Sequence, residues 1–133
     1  MGETRRVLIN SDLDIVAARV EGRNLARDMG FGIIDQARIA TAISELARNA
    51  AVYAYGGEII LEQIEPDGQV GLQIVCVDQG PGIEHVEEVL RGMQGDSSGL
   101  GMGLLGTRRL MDEFEIDSQV GIGTTVRTCK WLR

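Results

Sequence analysis

The chain has 133 residues, 44% hydrophobic and 25% charged, with 20 acidic against 13 basic side chains for a net charge of −7. Such a length suits one soluble globular domain over 1–133 that buries its own core, and the acidic balance excludes the Lys/Arg surface on which nucleic-acid binding rests. No run approaches the roughly 20 apolar residues of a membrane span, and MGETRRVLIN lacks the apolar core of a signal peptide, so no membrane partner and a cytoplasmic location are expected.

Thr4 to Ile9 alternates weakly and reads as a strand. Ser11 then stands as an N-cap, with Asp14 at the capping-box position, ahead of a helix from Asp12 to about Met29 that Gly30 and Gly32 end. A second helix is expected from Asp35 to about Ala54, because Ile39, Ile43, Leu46, Ala50 and Tyr53 recur at helical spacing before Gly56 and Gly57 stop it. Glu58 to Glu65 and Val70 to Asp78 form a strand pair across PDGQ. From Gln79 to Leu100 the pattern breaks into glycine, polar and acidic residues, with room for one short helix around His85 to Arg91. Gly101 to Phe114 is again helical, and Glu115 to Val120 and Thr124 to Trp131 are strands around a GIG turn. Strands that meander, with helices free to cover one face, predict an α+β fold: a two-layer α/β sandwich whose sheet is mixed and mostly antiparallel. Cys76 and Cys129 fall in strand-like apolar runs and lack a CxxC spacing, so both read as small buried hydrophobes rather than metal ligands.

Three stretches carry polar groups where chemistry could sit. SELARN places Glu45 and Asn49 one turn apart on one helix face, near the edge of the apolar stripe; alone, such a pair reads as a solvated face. VDQGPG ends a hydrophobic strand in Asp78, followed by Gly80, Pro81 and Gly82. This is either an ordinary strand-end turn or a carboxylate at the mouth of the core, able to accept from an exocyclic amine while the glycines admit a flat ring. SGLGMGLLG sets four glycines in nine positions directly before a helix. Glycine is so costly to order that this needs a backbone reason: an anion site at the helix N-terminus is one, and a flexible surface loop is the alternative. The literal G-x-G-x-x-G within it follows no strand, which rejects a dinucleotide fingerprint; neither a P-loop nor the H-R-D and V-A-I-K signatures occur.

In chain order these are E-x-x-x-N on a helix, D-x-G-x-G after a strand, G-x-G-x-G opening a helix and G-x-T at Gly123 to Thr125. The set resembles the nucleotide site of the GHKL, or Bergerat-fold, superfamily over nearly the whole chain. More narrowly, ELARNAAVYA, VDQGPGI, GLGMGLLGTRRLMDEFEI and GTTVRTCKWLR resemble the RsbT-like serine/threonine switch kinases of bacterial stressosomes, and less closely the anti-sigma-factor kinases.

The resemblance implies ATP and Mg²⁺ as cofactors, a serine or threonine on a STAS-domain protein of RsbS/RsbR type as substrate, and a PP2C-type phosphatase of RsbU type as partner. It implies that Asn49 holds Mg²⁺ and that Glu45 is the general base. Asp78 would accept from the adenine amine, Gly80 and Gly82 would admit the ring, and Thr125 would be a second adenine contact. Gly99, Gly101 and Gly103 would wrap the phosphates ahead of a helix from about Leu104, within a lid of about 84–106. Ser97 and Ser98 are further phosphate donors to consider, and Arg48, Arg108 and Arg109 are candidate cations by position only. His85 would be an exposed lid residue rather than a phosphoacceptor. Arg19 and Arg23, at i,i+4 on the first helix, motivate a docking surface there. The alternative is an anti-sigma or partner-switching module in which ATP sets conformation.

Overall fold

The computed structural model describes residues 3–54, 56–84, 86 and 100–133. Its elements are β1 (Thr4–Ile9), α1 (Asp12–Met29), α2 (Ile33–Tyr53), β2 (Gly57–Ile64), β3 (Gly71–Asp78), α3 (Leu100–Leu110), β4 (Glu113–Gln119) and β5 (Gly123–Trp131). Among the described residues the strands form one sheet in the order β1-β2-β3-β5-β4, antiparallel at every pairing. The α1–α2 pair lies on the sheet and α3 packs on α2, which gives the expected two layers.

The first helix has its expected bounds. Ser11 stands at its start in extended conformation but makes no side-chain cap; the Asp14 carboxylate instead accepts from the Asn10 N–H at 2.8 Å. Gly30 closes α1 with φ +103°, and the Gly30 and Phe31 N–H groups return to the Arg27 and Ala26 carbonyls, a Schellman closure that only glycine adopts without strain. The second helix begins two residues earlier than its periodicity predicts, at Ile33, because Gly32 is its extended N-cap and both leading isoleucines stay outside the core. Where α1 crosses α2, a Cβ on Gly22 would sit 2.0 Å from Ile43 Cδ1, so the missing side chain sets how closely the helices approach.

The core is the α2 stripe of Ile39, Ile43, Leu46 and Ala50 against Ile59, Leu61, Leu72 and Ile74 of the two central strands. Among the described residues no helix covers the opposite face of the sheet, which carries cross-strand polar pairs, including Arg6 with Glu58, Glu62 with Gln73, and Arg127 with both Gln73 and Glu115. These satisfy a solvent-facing surface.

At its C-terminal end α3 departs from expectation. It stops at Leu110 rather than running to Phe114, because the Lys130 ammonium donates to the Leu110 carbonyl at 2.9 Å and closes the helix there. The residues that follow, EFEIDSQ, alternate exposed and half-buried and pair with β5, so Phe114 lies opposite Thr128 in the sheet.

Candidate functional site

Four elements, α2, β3, α3 and β5, and the segment after β3 meet at the end of the sheet where β3 finishes, around a cleft that is partly open to solvent. Its walls are apolar, with Leu46 and Ala50 from α2, Leu104 from α3, Val126 from β5 and Ile83 from the segment after β3. Its polar groups are few: Asn49, and the neighbouring Asp78 and Thr124. Apolar walls with a small number of directed polar groups are the usual make-up of a small-molecule site.

Asp78 ends β3 on the face that looks toward the helices. Its Oδ1 accepts from the Gly80 N–H at 3.0 Å and the Thr124 N–H at 3.2 Å, so two backbone donors fix the carboxylate. Just below it, Cys76 is buried, with its Sγ 3.6 Å from the Leu46 carbonyl; burial and then the neighbouring Asp78 charge push this thiol up to about 12. Cys129 is likewise buried and raised to about 12, by burial first and then by Glu113 and Asp112. Neither thiol is a thiolate nucleophile at neutral pH, and among the described residues no cluster of His, Cys, Asp or Glu could hold a metal alone.

The glycines after β3 have structural reasons for being glycine. A Cβ on Gly80 would meet the Ala54 Cβ at 2.4 Å, and one on Gly82, at φ +79°, would meet the Gln119 carbonyl oxygen at 2.4 Å. Gly82 lines the cleft, whereas Gly80 is packed beside it and reaches the site only through its bond to Asp78.

Glu45 and Asn49, one turn apart on α2, lie together beneath α3. A Cβ on Gly103 would stand 3.1 Å from Glu45 Oε2 and 3.4 Å from Asn49 Oδ1, so the bare Gly103 backbone covers both polar groups. The Asn49 amide nitrogen is a buried side-chain atom with no hydrogen-bond partner among the described residues. A buried, unsatisfied donor costs about 1–3 kcal/mol, and a ligand acceptor would recover that cost.

Two expectations change here. Thr125 pairs with Val77, points to the outer face of the sheet and is exposed; Thr124, paired with Asp78, is the residue that faces the cleft. Strand alternation places Thr124 on the same face as buried Val126 and Thr128, so counting back by twos from that face would have found it. Second, the helix begins at Leu100, one residue before the Gly101 start read from the pattern and earlier than the Leu104 start that the resemblance implied, so Gly101 and Gly103 belong to the first turn of α3 and not to a preceding loop. Gly99, His85, Ser97, Ser98 and most of the expected lid and its short helix lie outside the described residues. Arg48, Arg108 and Arg109 are exposed, as are Arg19 and Arg23 on α1.

Ser118 carries no signal in the sequence and joins the site only in three dimensions. It accepts from the Ile83 N–H at 2.7 Å and lies 2.7 Å from the Thr124 hydroxyl.

The family described as histidine kinase-like ATPase domain matches residues 10–130. The serine/threonine-protein kinase RsbT of Bacillus subtilis is 51% identical over 133 residues, covering 100% of both chains. An anti-sigma F factor of Caldanaerobacter subterraneus subsp. tengcongensis is 32% identical over 102 residues, covering 72% of this chain and 70% of that protein. Among solved structures, the RsbU and RsbW domains of a Mycobacterium tuberculosis protein superpose with a TM-score of 0.65 over 98% of this chain. This chain spans 33% of that one at 22% identity, a likeness of fold alone.

Proposed function

Because the chain belongs to the histidine kinase-like ATPase family and matches an RsbT-type kinase along its whole length, we propose that it is an ATP-dependent protein serine/threonine kinase. The observation that carries this reading is the grouping of Glu45 and Asn49 against the bare backbone of Gly103, where Asn49 lines the same cleft as Asp78 and Thr124.

In this reading the adenine ring lies between the apolar walls, and the fixed Asp78 carboxylate accepts from its exocyclic amine. Thr124, rather than Thr125, supplies the second contact. The first turn of α3 offers unpaired N–H groups and a positive dipole end to the phosphates, and Gly99, Gly101 and Gly103 would let the backbone approach them. Asn49 would hold, through its amide oxygen, the Mg²⁺ that arrives with the nucleotide. One protein oxygen suits a small cation that keeps its waters and takes its other ligands from phosphate. That ion would supply charge neutralisation at the transferring phosphoryl group.

Glu45 would accept the proton of the attacking hydroxyl. The serine or threonine oxygen bonds to the γ-phosphorus, the bond from that phosphorus to the β-bridging oxygen breaks, and ADP leaves. The positioned apolar walls and the Asp78 anchor contribute by orientation, holding the γ-phosphate within reach of Glu45.

The substrate in this proposal is a STAS-domain protein of RsbS/RsbR type, with a PP2C-type phosphatase of RsbU type as the partner activated after release. The cytoplasm is the proposed compartment; among the described residues no helix is long and apolar enough to cross a membrane. A second reading, a partner-switching module whose conformation ATP sets, draws on the likeness to anti-sigma F factors.

Intact-mass measurement on a STAS-domain protein from the same genome, incubated with this chain and Mg-ATP, separates the two. Gain of one phosphate that disappears with Glu45→Gln, while that variant still binds ATP, supports the kinase and its base. No gain despite ATP binding overturns the kinase in favour of the switch.

A further inference from the structure

Ser118 sits on the inward face of β4, directly opposite Thr124 in the ladder, and does not itself line the cleft. Its single hydroxyl is the centre of a small network. It accepts from the Ile83 N–H at 2.7 Å, lies 3.3 Å from the Gly123 carbonyl oxygen as a donor, and is 2.7 Å from Thr124 Oγ1, where either oxygen can donate. Around it, the Gly121 N–H donates to the Pro81 carbonyl at 2.9 Å, and the Thr124 N–H donates to Asp78. The segment after β3 is thereby tied to the β4–β5 hairpin at two points, and Ser118 supplies one of them.

Counting protons determines which way Thr124 faces. A serine hydroxyl has one hydrogen and two lone pairs. One lone pair takes the Ile83 N–H. If the hydrogen goes to the Gly123 carbonyl, the second lone pair is free for the Thr124 hydrogen, and every valence of Ser118 is used. Thr124 then turns its own lone pairs toward the cleft. In the opposite arrangement the Ser118 hydrogen goes to Thr124, leaving one lone pair of Ser118 without a hydrogen. The first arrangement satisfies more groups, and buried polar networks favour full satisfaction. It leaves the cleft end with two acceptors side by side, the remaining Asp78 oxygen and the Thr124 hydroxyl, and no donor between them.

We propose that Ser118 is a positioning residue for nucleobase recognition, holding the Thr124 hydroxyl as an acceptor beside Asp78 so that the cleft end selects a base bearing an exocyclic amino group. An amino group brings two N–H donors to two acceptors, whereas a 6-oxo purine brings an acceptor and a purine lacking any 6-substituent brings nothing. The inference rests on the reading of this cleft as the adenine site.

Titration calorimetry on the full chain tests it, with ATP and the triphosphate of unsubstituted purine riboside as the two ligands. The ratio of their affinities is the readout, since it does not depend on the fraction of protein that is active. The wild type is expected to prefer ATP, and Ser118→Ala to lower that preference by roughly 3- to 10-fold, the worth of one ordinary hydrogen bond, through weaker ATP binding. Ser118→Thr and Ser118→Val separate hydroxyl from volume, being isosteric: the Thr variant should keep the wild-type ratio and the Val variant should lose it. Equal weakening of both nucleotides in Ser118→Ala, or equal ratios in the Thr and Val variants, would show that Ser118 only supports the fold and overturn the proposal. A wild type that binds both triphosphates alike would instead remove the adenine reading beneath it.

Discussion

Replacing Asp78 by Asn separates the carboxylate's role in the fold from its role toward a ligand. Its Oδ1 accepts two backbone N–H groups, from Gly80 and Thr124. An Asn side chain keeps an oxygen at that position, so both anchors survive. What changes is the other atom, which turns from a charged acceptor into an N–H donor. A hydrogen bond to a charged group contributes about 1.5–3 kcal/mol, and each 1.4 kcal/mol is tenfold in affinity, so Asp78→Asn should weaken ATP binding by about 10- to 100-fold. The melting temperature should stay near that of the wild type. Asp78→Ala loses ATP as well but also frees both backbone donors, at about 2–3 kcal/mol, which for a chain of this length lowers the melting temperature by on the order of 10 °C. Calorimetric titration and thermal unfolding of the two variants together give the answer. An Asn variant that binds ATP like the wild type, or that melts as low as the Ala variant, would refute the assignment of one oxygen to the backbone and the other to the ligand.

Two further outcomes follow from single contacts. Asn49→Ala removes an unsatisfied buried amide, so the unliganded protein should melt no lower than the wild type, yet ATP affinity should drop about tenfold and lose its dependence on Mg²⁺; titrations with Mg²⁺ and with EDTA read this directly. Asp112 is held below its ordinary carboxylate range: burial alone would raise it, but the Trp131 N–H and the Lys130 and Arg133 charges outweigh that. A carboxylate depressed in the folded state adds stability above its unfolded value of about 4, and that stability is lost as pH falls through the folded value. Asp112→Asn should therefore melt below wild type at pH 7, with the gap closing as pH falls below about 4 in thermal scans.

Local chemistry alone placed much of this protein. Period-two and period-3.6 patterns, with Gly30 and the glycines after α2 as stops, gave every strand and α1 to within a residue or two, because each pattern follows from which face must be buried. The ordered boxes around Glu45, Asn49, Asp78 and the glycine run carried the resemblance to the family to which the chain belongs, and the structure sets Asn49 and Asp78 on one cleft with Glu45 beside Asn49. The end of α3 was beyond the sequence, being set by Lys130, 20 positions on from the carbonyl it caps. So was the reason for Gly80, which is contact with Ala54. Above all, the hydroxyl pair of Ser118 and Thr124 and its tie to Ile83 exist only because β4 and β5 bring them into register beside the end of β3. Contacts between residues distant in the chain leave no periodic trace, so while strand alternation already separates inward Thr124 from outward Thr125, the tertiary structure alone decided what holds Thr124 at the cleft.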